Sequence, residues 1–357
     1  MLRLVALVAA FLIGLPAAAQ EARLTLLTDD GGHLDWLRLP GGLIVFDRKG
    51  ADGYFQIWTM RPDGTGQASL TAGRRELPGF HTGQPAWHPS GRWIAFQAQK
   101  SGIPKQFQKT SEPGAGIFND LWVMNAEATR FWKLVDLPLS LDREARGILH
   151  PHFSGDGRQI TWAERTGSGS KAFGSWVIRL ADFRDDGGAP RLENIRTLTP
   201  LLSGRGGAFY ETHGFSPDGR SLIFSSDVER GLKIYTFDLA SGTSRKLTHE
   251  PRDWDEHSIF APDGGRILFI SSRGLKFSAQ PFELQTEFWL MGADGGQPQR
   301  ITYFHQPGHK HYRAADFQVA ADSAWREDGR AFAGLVIRHR PDSGQRGKGE
   351  IWLVELD

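Results

Sequence analysis

A short pattern of apolar and turn-forming positions recurs along the chain. An aromatic residue enters a Pro-Asp-Gly or related turn, and a run of β-branched or aromatic residues leaves it, as in residues 215–224 (FSPDGRSLIF). Proline presets φ, aspartate bonds the local backbone and glycine takes the left-handed position, so the flanking segments are expected to pair as a hairpin. The six copies begin at Trp36, Trp87, Phe153, Phe215, Phe260 and Trp325.

A second apolar strand follows each hairpin, and most units then reach a short segment that ends in Leu-Thr or Ile-Thr. The second strands occupy residues 57–60, 121–124, 175–178, 234–237, 288–291 and 351–354. Each unit therefore predicts four antiparallel strands, a to d, within roughly 45 to 60 residues, which is typical of a propeller blade. Six units predict an all-β fold, a six-bladed β-propeller of four-stranded antiparallel blades.

The two ends of the chain suggest how the ring closes. The sequence stops directly after strand c of the sixth unit, whereas residues 23–28 (RLTLLT) carry the Leu-Thr ending of a d strand. We expect this N-terminal strand to complete the last blade, because an open sheet edge would otherwise remain.

The first residues have the features of a targeting segment. Arg3 precedes an apolar run at 4–15, and residues 17–19 (AAA) offer a small-residue cleavage site. This run is too short to span a bilayer, so we predict a secretory signal at 1–19, a single propeller domain at 20–357, and a periplasmic or secreted protein.

Composition narrows the chemistry. The chain has no Cys, which excludes thiol catalysis and Cys-ligated zinc, and its net charge is +1 without basic runs, which argues against nucleic-acid binding. No later apolar stretch is long enough to span a membrane. We expect a monomer whose partner is an envelope protein or a glycan.

The Ser-Pro-Asp-Gly-Arg hairpins and the Ile-Trp-x-Met strands resemble the WD-like (PD40-like) repeat of the TolB propeller family, over nearly the whole predicted mature chain. The resemblance implies a six-bladed propeller that holds a protein partner on one face. We expect the chain to differ from TolB, which has an α/β domain ahead of its propeller, because the predicted propeller begins within a few residues of the predicted cleavage site. The repeat also resembles those of oligogalacturonate lyases and prolyl peptidases, but the sequence has no Gly-x-Ser-x-Gly nucleophile motif.

Histidines are distributed unevenly between the two faces of the predicted propeller. Eleven of the 12 fall in the long loops of one face, the top, or at the starts of the innermost strands, and only His88 lies in a bottom turn. Four of them precede the aromatic residue of strand a by two or three positions and should surround the mouth of the central channel. These four are His33, His150, His213 and His257.

Neutral imidazoles that converge with carboxylates suit a divalent metal such as Mn, Zn or Fe, and Ca is a further alternative. The proposed metal ligands are His150, His213, His257, His309 and His311. The other proposed binding residues of the top face are His33, His152, Glu211, Asp255, Glu256, Asp322 and Arg313.

Three interpretations remain open at this stage. In the first, the histidines and carboxylates bind a metal. In the second, they hydrogen-bond the loop backbones and close the channel mouth. In the third, they form a polar rim that binds a protein partner. We expect a TolB-like propeller that binds a protein or glycan on its top face. The alternative is a metal-dependent lyase or hydrolase of acidic saccharides, similar to the seven-bladed oligogalacturonate lyases, in which Arg146, Arg205 or Arg313 would bind the substrate carboxylate.

Overall fold

A computed structural model describes residues 22–169, 173–198, 200, 207–229, 231–276, 278, 284–312, 317–339 and 347–356. The first strands in the chain are β1 (Arg23–Thr28), β2 (Leu34–Trp36), β3 (Ile44–Lys49), β4 (Phe55–Met60), β5 (Ala68–Ser69), β6 (Thr82–Trp87), β7 (Trp93–Gln99), β8 (Asn119–Asn125), β9 (Phe131–Val135), β10 (Gly147–Phe153), β11 (Gln159–Gly167) and β12 (Ser175–Arg184). The remaining strands are β13 (Arg191–Leu198), β14 (Tyr210–Phe215), β15 (Ser221–Ser226), β16 (Lys233–Asp238), β17 (Ser244–Lys246), β18 (Asp255–Phe260), β19 (Arg266–Ser271), β20 (Glu287–Gly292), β21 (Gln299–Arg300), β22 (Phe317–Trp325), β23 (Ala331–His339) and β24 (Lys348–Glu355).

These strands form six four-stranded antiparallel sheets in chain order, and this confirms the predicted six-bladed β-propeller. The first five blades are β2–β5, β6–β9, β10–β13, β14–β17 and β18–β21. The innermost strands β2, β6, β10, β14, β18 and β22 contact one another around the axis. The helical segments among the described residues are Lys105–Phe107 (3-10) and α1 (Gln108–Ser111), and no described helix is long enough to cross a membrane.

The N-terminal strand closes the ring, as predicted. The sixth sheet has the order β1-β24-β23-β22, and β1 pairs antiparallel with β24, with Leu24 opposite Val354. Leu27 is buried in one apolar cluster with Ile44 and Ile351, so β1 joins the first and last blades. The predicted secretory signal at 1–19 lies outside the described residues.

The turn of the repeat is stabilised locally. In the fourth blade the Ser216 hydroxyl donates to Asp218 Oδ1 over 2.6 Å, and the Arg220 N–H donates to the same oxygen over 3.0 Å. Gly219 has φ of 70°, a conformation that costs glycine little. These contacts explain why Ser, Asp and Gly recur at fixed spacing.

The threonine that ends strand d ties this strand to strand c. The Thr248 hydroxyl oxygen accepts the N–H of Ile234 over 3.0 Å, and the Thr302 oxygen accepts that of Phe288 over 3.0 Å. Thr71 makes the same bond in the first blade, over 2.8 Å. In these three blades a buried N–H of strand c therefore finds its acceptor in a side chain.

Candidate metal centre at the channel mouth

A bulge in the innermost strands turns polar side chains towards the channel. The pairing of strand a with strand b shifts register in the second to sixth blades. Within three of these bulges Gln84, His150 and His257 adopt φ of 47°, 48° and 49°. A bulge re-aims a side chain that regular alternation would direct elsewhere.

Each blade contributes one polar side chain to this level of the channel. We call this set the channel-mouth ring, and its members line one small cavity. They are His33, Gln84, His150, His213, His257 and Asp322. The side chains of His213 and His257 are 2% and 14% exposed, so the ring is largely shielded from bulk water.

Two groups of metal-ligating atoms converge at the ring. One nitrogen from each of His150, His213 and His257 lies within 4.8 Å of the others, and a second such group consists of Glu211, Glu256 and His257. His150 Nε2 is 2.9 Å from Glu211 Oε1, and His213 Nε2 is 3.8 Å from Glu211 Oε2. The two groups, one of three imidazoles and one of two carboxylates with an imidazole, thus overlap at His257.

Outer partners fix the orientation of these rings. His213 Nε2 is 3.0 Å from the Ser225 hydroxyl, and His257 Nδ1 is 2.7 Å from Asp322 Oδ1. Partners of this kind set the tautomer and the orientation of histidines that bind metals. Trp254 Nε1 donates to Glu256 Oε2 over 2.7 Å and holds that carboxyl group.

Burial keeps several imidazoles of the site neutral. It lowers the pKa of His150 and that of His152 to about 3. Burial, together with the nearby His257, also holds the pKa of His213 well below its usual value. Neutral imidazole is the form that has a lone pair for a metal.

The opposite side of the cluster is charged. Burial disfavours a charged His257, but the carboxylates of Asp322 and Glu256 outweigh this effect and raise its pKa to about 10. Burial also acts on Asp322, yet the positive charge of His257 holds the pKa of this carboxyl group well below its usual value. Burial raises the pKa of Glu211, and burial with the nearby Glu211 raises that of Glu256 to about 8. Two carboxyl groups this close resist ionising together without a cation between them.

Other predicted site residues lie elsewhere. Asp255 is fully buried, accepts the Ser271 hydroxyl over 2.6 Å, and lies 3.7 Å from Lys233 Nζ. The side chain of Asp255 therefore belongs to an ion pair rather than to the ring.

Two predicted metal ligands are also outside the ring. His311 Nε2 is 3.1 Å from the Ala22 carbonyl oxygen, and the His309 ring lies 4.4 Å from that of Tyr303. Neither histidine joins the convergent groups found among the described residues.

The predicted anion-binding arginines contribute little to the described site. Arg146 is paired with Glu164, whereas Arg205 and Arg313 lie outside the described residues. His152 does line the cavity, and its ring stacks on His150 with an interplanar angle of 17°.

Sequence reasoning missed Gln84 and Asp47. Gln84 precedes Trp87 by three residues, the same offset that separates His150 from Phe153, so comparison of the repeats would have found it. Asp47 directly follows the apolar residues 44–46 of β3 and is fully buried behind the ring. Its sequence signal was weak, because the charged residues Arg48 and Lys49 come next in the same strand.

Comparison with known proteins supports the fold. No family model matches the chain. A 91-residue segment is 35% identical to an uncharacterised protein of Agrobacterium fabrum, and a 240-residue segment is 26% identical to dipeptidyl-peptidase 5 of Porphyromonas endodontalis. These matches cover 25% and 60% of the chain, but only 27% and 32% of the relatives, so the chain spans less than a third of either.

Among solved structures, TolB from Acinetobacter baumannii superposes with a TM-score of 0.52 at 15% sequence identity. The superposition covers 96% of this chain and 66% of the TolB chain. At this identity the likeness concerns the fold. The protein has the TolB-like six-bladed β-propeller fold.

Proposed function

We propose that this protein is exported, binds a divalent transition metal at its channel mouth and uses the top face around that metal to bind an anionic group of a glycan or protein partner. The observation that supports the proposal is the convergence of His150, His213 and His257 within 4.8 Å beside Glu211 and Glu256. Imidazole and carboxylate together suit Mn, Zn or Fe, whereas Ca would favour oxygen ligands alone.

The residues fit such an ion for a second reason. Glu211 Oε2 is buried and accepts no hydrogen bond from the described residues. A buried carboxylate oxygen without a donor is costly, and a cation would satisfy it. The ion would also relieve the repulsion between Glu211 and Glu256, while His150 and His213 already have the protonation state that binds metal.

Metal content of untagged protein tests the proposal. We expect a stoichiometric transition metal in the wild-type protein, and loss of it in His213→Ala and His257→Ala. The matched control is His249→Ala, an exposed histidine away from the ring, which should keep the metal. A metal-free wild-type protein whose melting temperature does not change with a chelator or with added Mn²⁺ or Zn²⁺ would contradict the proposal.

Partner binding is tested separately, because a metal centre alone does not imply a ligand. Pull-down from envelope extract, and glycan-array binding, should depend on the metal and on the top-face loops. Substitutions in a bottom turn, such as Asp218→Asn at an exposed position, should leave binding intact. Binding that survives both chelation and top-face changes would rule out this use of the face.

A second candidate is a metal-dependent lyase or hydrolase of acidic saccharides. The observation that favours it is the group formed by Glu211, Glu256 and His257, which places acid–base side chains beside the three imidazoles. Activity on uronate-containing polysaccharides with added Mn²⁺, lost in Glu256→Gln although metal is retained, would support the enzyme. A metal-loaded protein that binds such saccharides without converting them would support the binding function instead.

A further inference from the structure

We infer that Gln84 and Asp47 are positioning residues of the metal centre: Asp47 holds the backbone of Gln84, and the Gln84 amide oxygen in turn holds the backbone of His150. The inference rests on the proposed metal site. It assigns a role to two residues that contact no proposed carboxylate ligand, and it explains how the second blade, which has glutamine where its neighbours have histidine, contributes to the ring.

The contacts form a continuous path across three blades. Asp47 Oδ2, on β3 of the first blade, accepts the Gln84 N–H over 2.9 Å. Gln84 Oε1 accepts the N–H of His150 over 3.1 Å, and Gln84 Nε2 lies 2.7 Å from His150 Nε2. Because the His150 N–H fixes which end of the amide is oxygen, the nitrogen end faces the imidazole. A metal bound at His150 Nε2 would replace this contact, whereas the bond to the His150 backbone would remain.

Asp47 anchors a second ring residue with the same carboxyl group. Its Oδ1 accepts the His33 N–H over 3.1 Å, and Oδ2 is 3.1 Å from His33 Nδ1. His33 Nε2 is then directed at Asp322 Oδ2, 3.5 Å away. One buried carboxylate thus organises the innermost strands of the first two blades.

The chain is shaped to admit this carboxylate. A Cβ atom on Gly32 would lie 2.0 Å from Asp47 Oδ1, and one on Gly83 would lie 2.7 Å from Oδ2. Neither position could carry a larger residue while Asp47 keeps its place. Gly32, just before β2, and Gly83, on β6, therefore leave space for a side chain whose hydrogen bonds within the described part of the chain go to His33 and Gln84.

A purely structural role for Asp47 would affect folding alone, so the test needs a readout at the metal. Co²⁺ added to the metal-free protein is a suitable probe, because its visible spectrum reports ligand geometry and its titration gives an affinity. The variants are Asp47→Asn and Gln84→Met. The asparagine amide presents N–H donors where the Asp47 carboxylate accepts hydrogen bonds from backbone N–H groups. Methionine keeps the length of the glutamine side chain but not its hydrogen bonds. The control is Asp120→Asn, because Asp120 is also a buried carboxylate but pairs with Lys100 and Lys133, away from the ring.

We expect both Asp47→Asn and Gln84→Met to weaken Co²⁺ binding by about 10- to 100-fold and to alter the spectrum, because loss of an outer partner commonly has this effect on a metal site. Asp120→Asn should lower the melting temperature without changing either quantity. Wild-type affinity and spectrum in both Asp47→Asn and Gln84→Met would overturn the inference and leave the metal site intact. Failure of wild-type protein to bind Co²⁺ would instead overturn the proposed function.

Discussion

His81 couples the stability of the second blade to pH. The imidazole is 3% exposed, and its Nδ1 accepts the N–H of Phe55 over 3.0 Å, which ties the first blade to the second. Its edge-to-face contact with Tyr54, at 5.1 Å between ring centroids, completes the enclosure. A ring that accepts a hydrogen bond at Nδ1 must be neutral with its proton on Nε2, so protonation of the folded state would break the link.

The magnitude follows from the pKa in the two states. Burial lowers the pKa of His81 from 6.5 to about 4. Between these values the unfolded chain binds a proton that the folded chain does not, so stability rises with pH across this window. The contribution is fully present above pH 6.5 and is lost as the pH falls towards 4. At about 1.4 kcal/mol for each pH unit, the loss amounts to about 3 kcal/mol.

His81→Asn separates this effect from other acid-sensitive groups. The asparagine oxygen can take the position of Nδ1 and keep the bond from Phe55, but it does not titrate in this range. Urea unfolding followed by Trp fluorescence between pH 7 and pH 4 should show that the wild-type protein loses about 3 kcal/mol more than the variant. His249→Asn, at an exposed position, controls for removal of a histidine elsewhere. Equal pH dependence in wild type and His81→Asn would refute the reasoning.

Two further predictions concern β1, the strand that closes the propeller, and a buried lysine. Leu27→Ala should lower the free energy of unfolding by about 2–4 kcal/mol, because Leu27 is buried where β1 meets the first and last blades. Leu26→Ala, at 43% exposure on the same strand, should cost less than about 0.5 kcal/mol. Similar costs for the two variants would show that β1 does not close the propeller. Lys233→Met should lower the free energy of unfolding by about 3–5 kcal/mol, because Asp255 is left buried without its cation. In chemical denaturation, adding Asp255→Asn should recover much of this lost stability. A double variant as unstable as Lys233→Met would contradict the pairing.

The fold could be predicted because each blade repeats the same local chemistry. The Ser-Pro-Asp-Gly turn forms from bonds between neighbouring residues, as at Ser216 and Asp218, so its sequence signal is strong. The Leu-Thr or Ile-Thr ending recurs with a side-chain bond to strand c, as at Thr71, Thr248 and Thr302, and it identified residues 23–28 as the missing strand. Such local rules do not depend on how the blades are arranged.

The site was predicted only in part, because loop position determines which face a residue occupies but not its distance from the axis. His309 lies in a long loop of the top face, yet its imidazole packs on Tyr303 and does not join the ligand groups at the channel mouth. His150, His213 and His257 reach the channel because they lie on innermost strands. The alternation of a strand also fails at a bulge, so the direction of Asp322 required the observed register.

The strained backbone of the ring is itself an argument for function. Gln84, His150 and His257 hold left-handed conformations that glycine would adopt at little cost, and each such residue costs on the order of 1 kcal/mol or more. In the fourth blade the bulge places the positive φ on Gly214, one residue after the ring residue His213. In the other three blades the ring residue itself carries the strained conformation. It directs two imidazoles, and the amide that orients one of them, at the point where the proposed ligand groups converge.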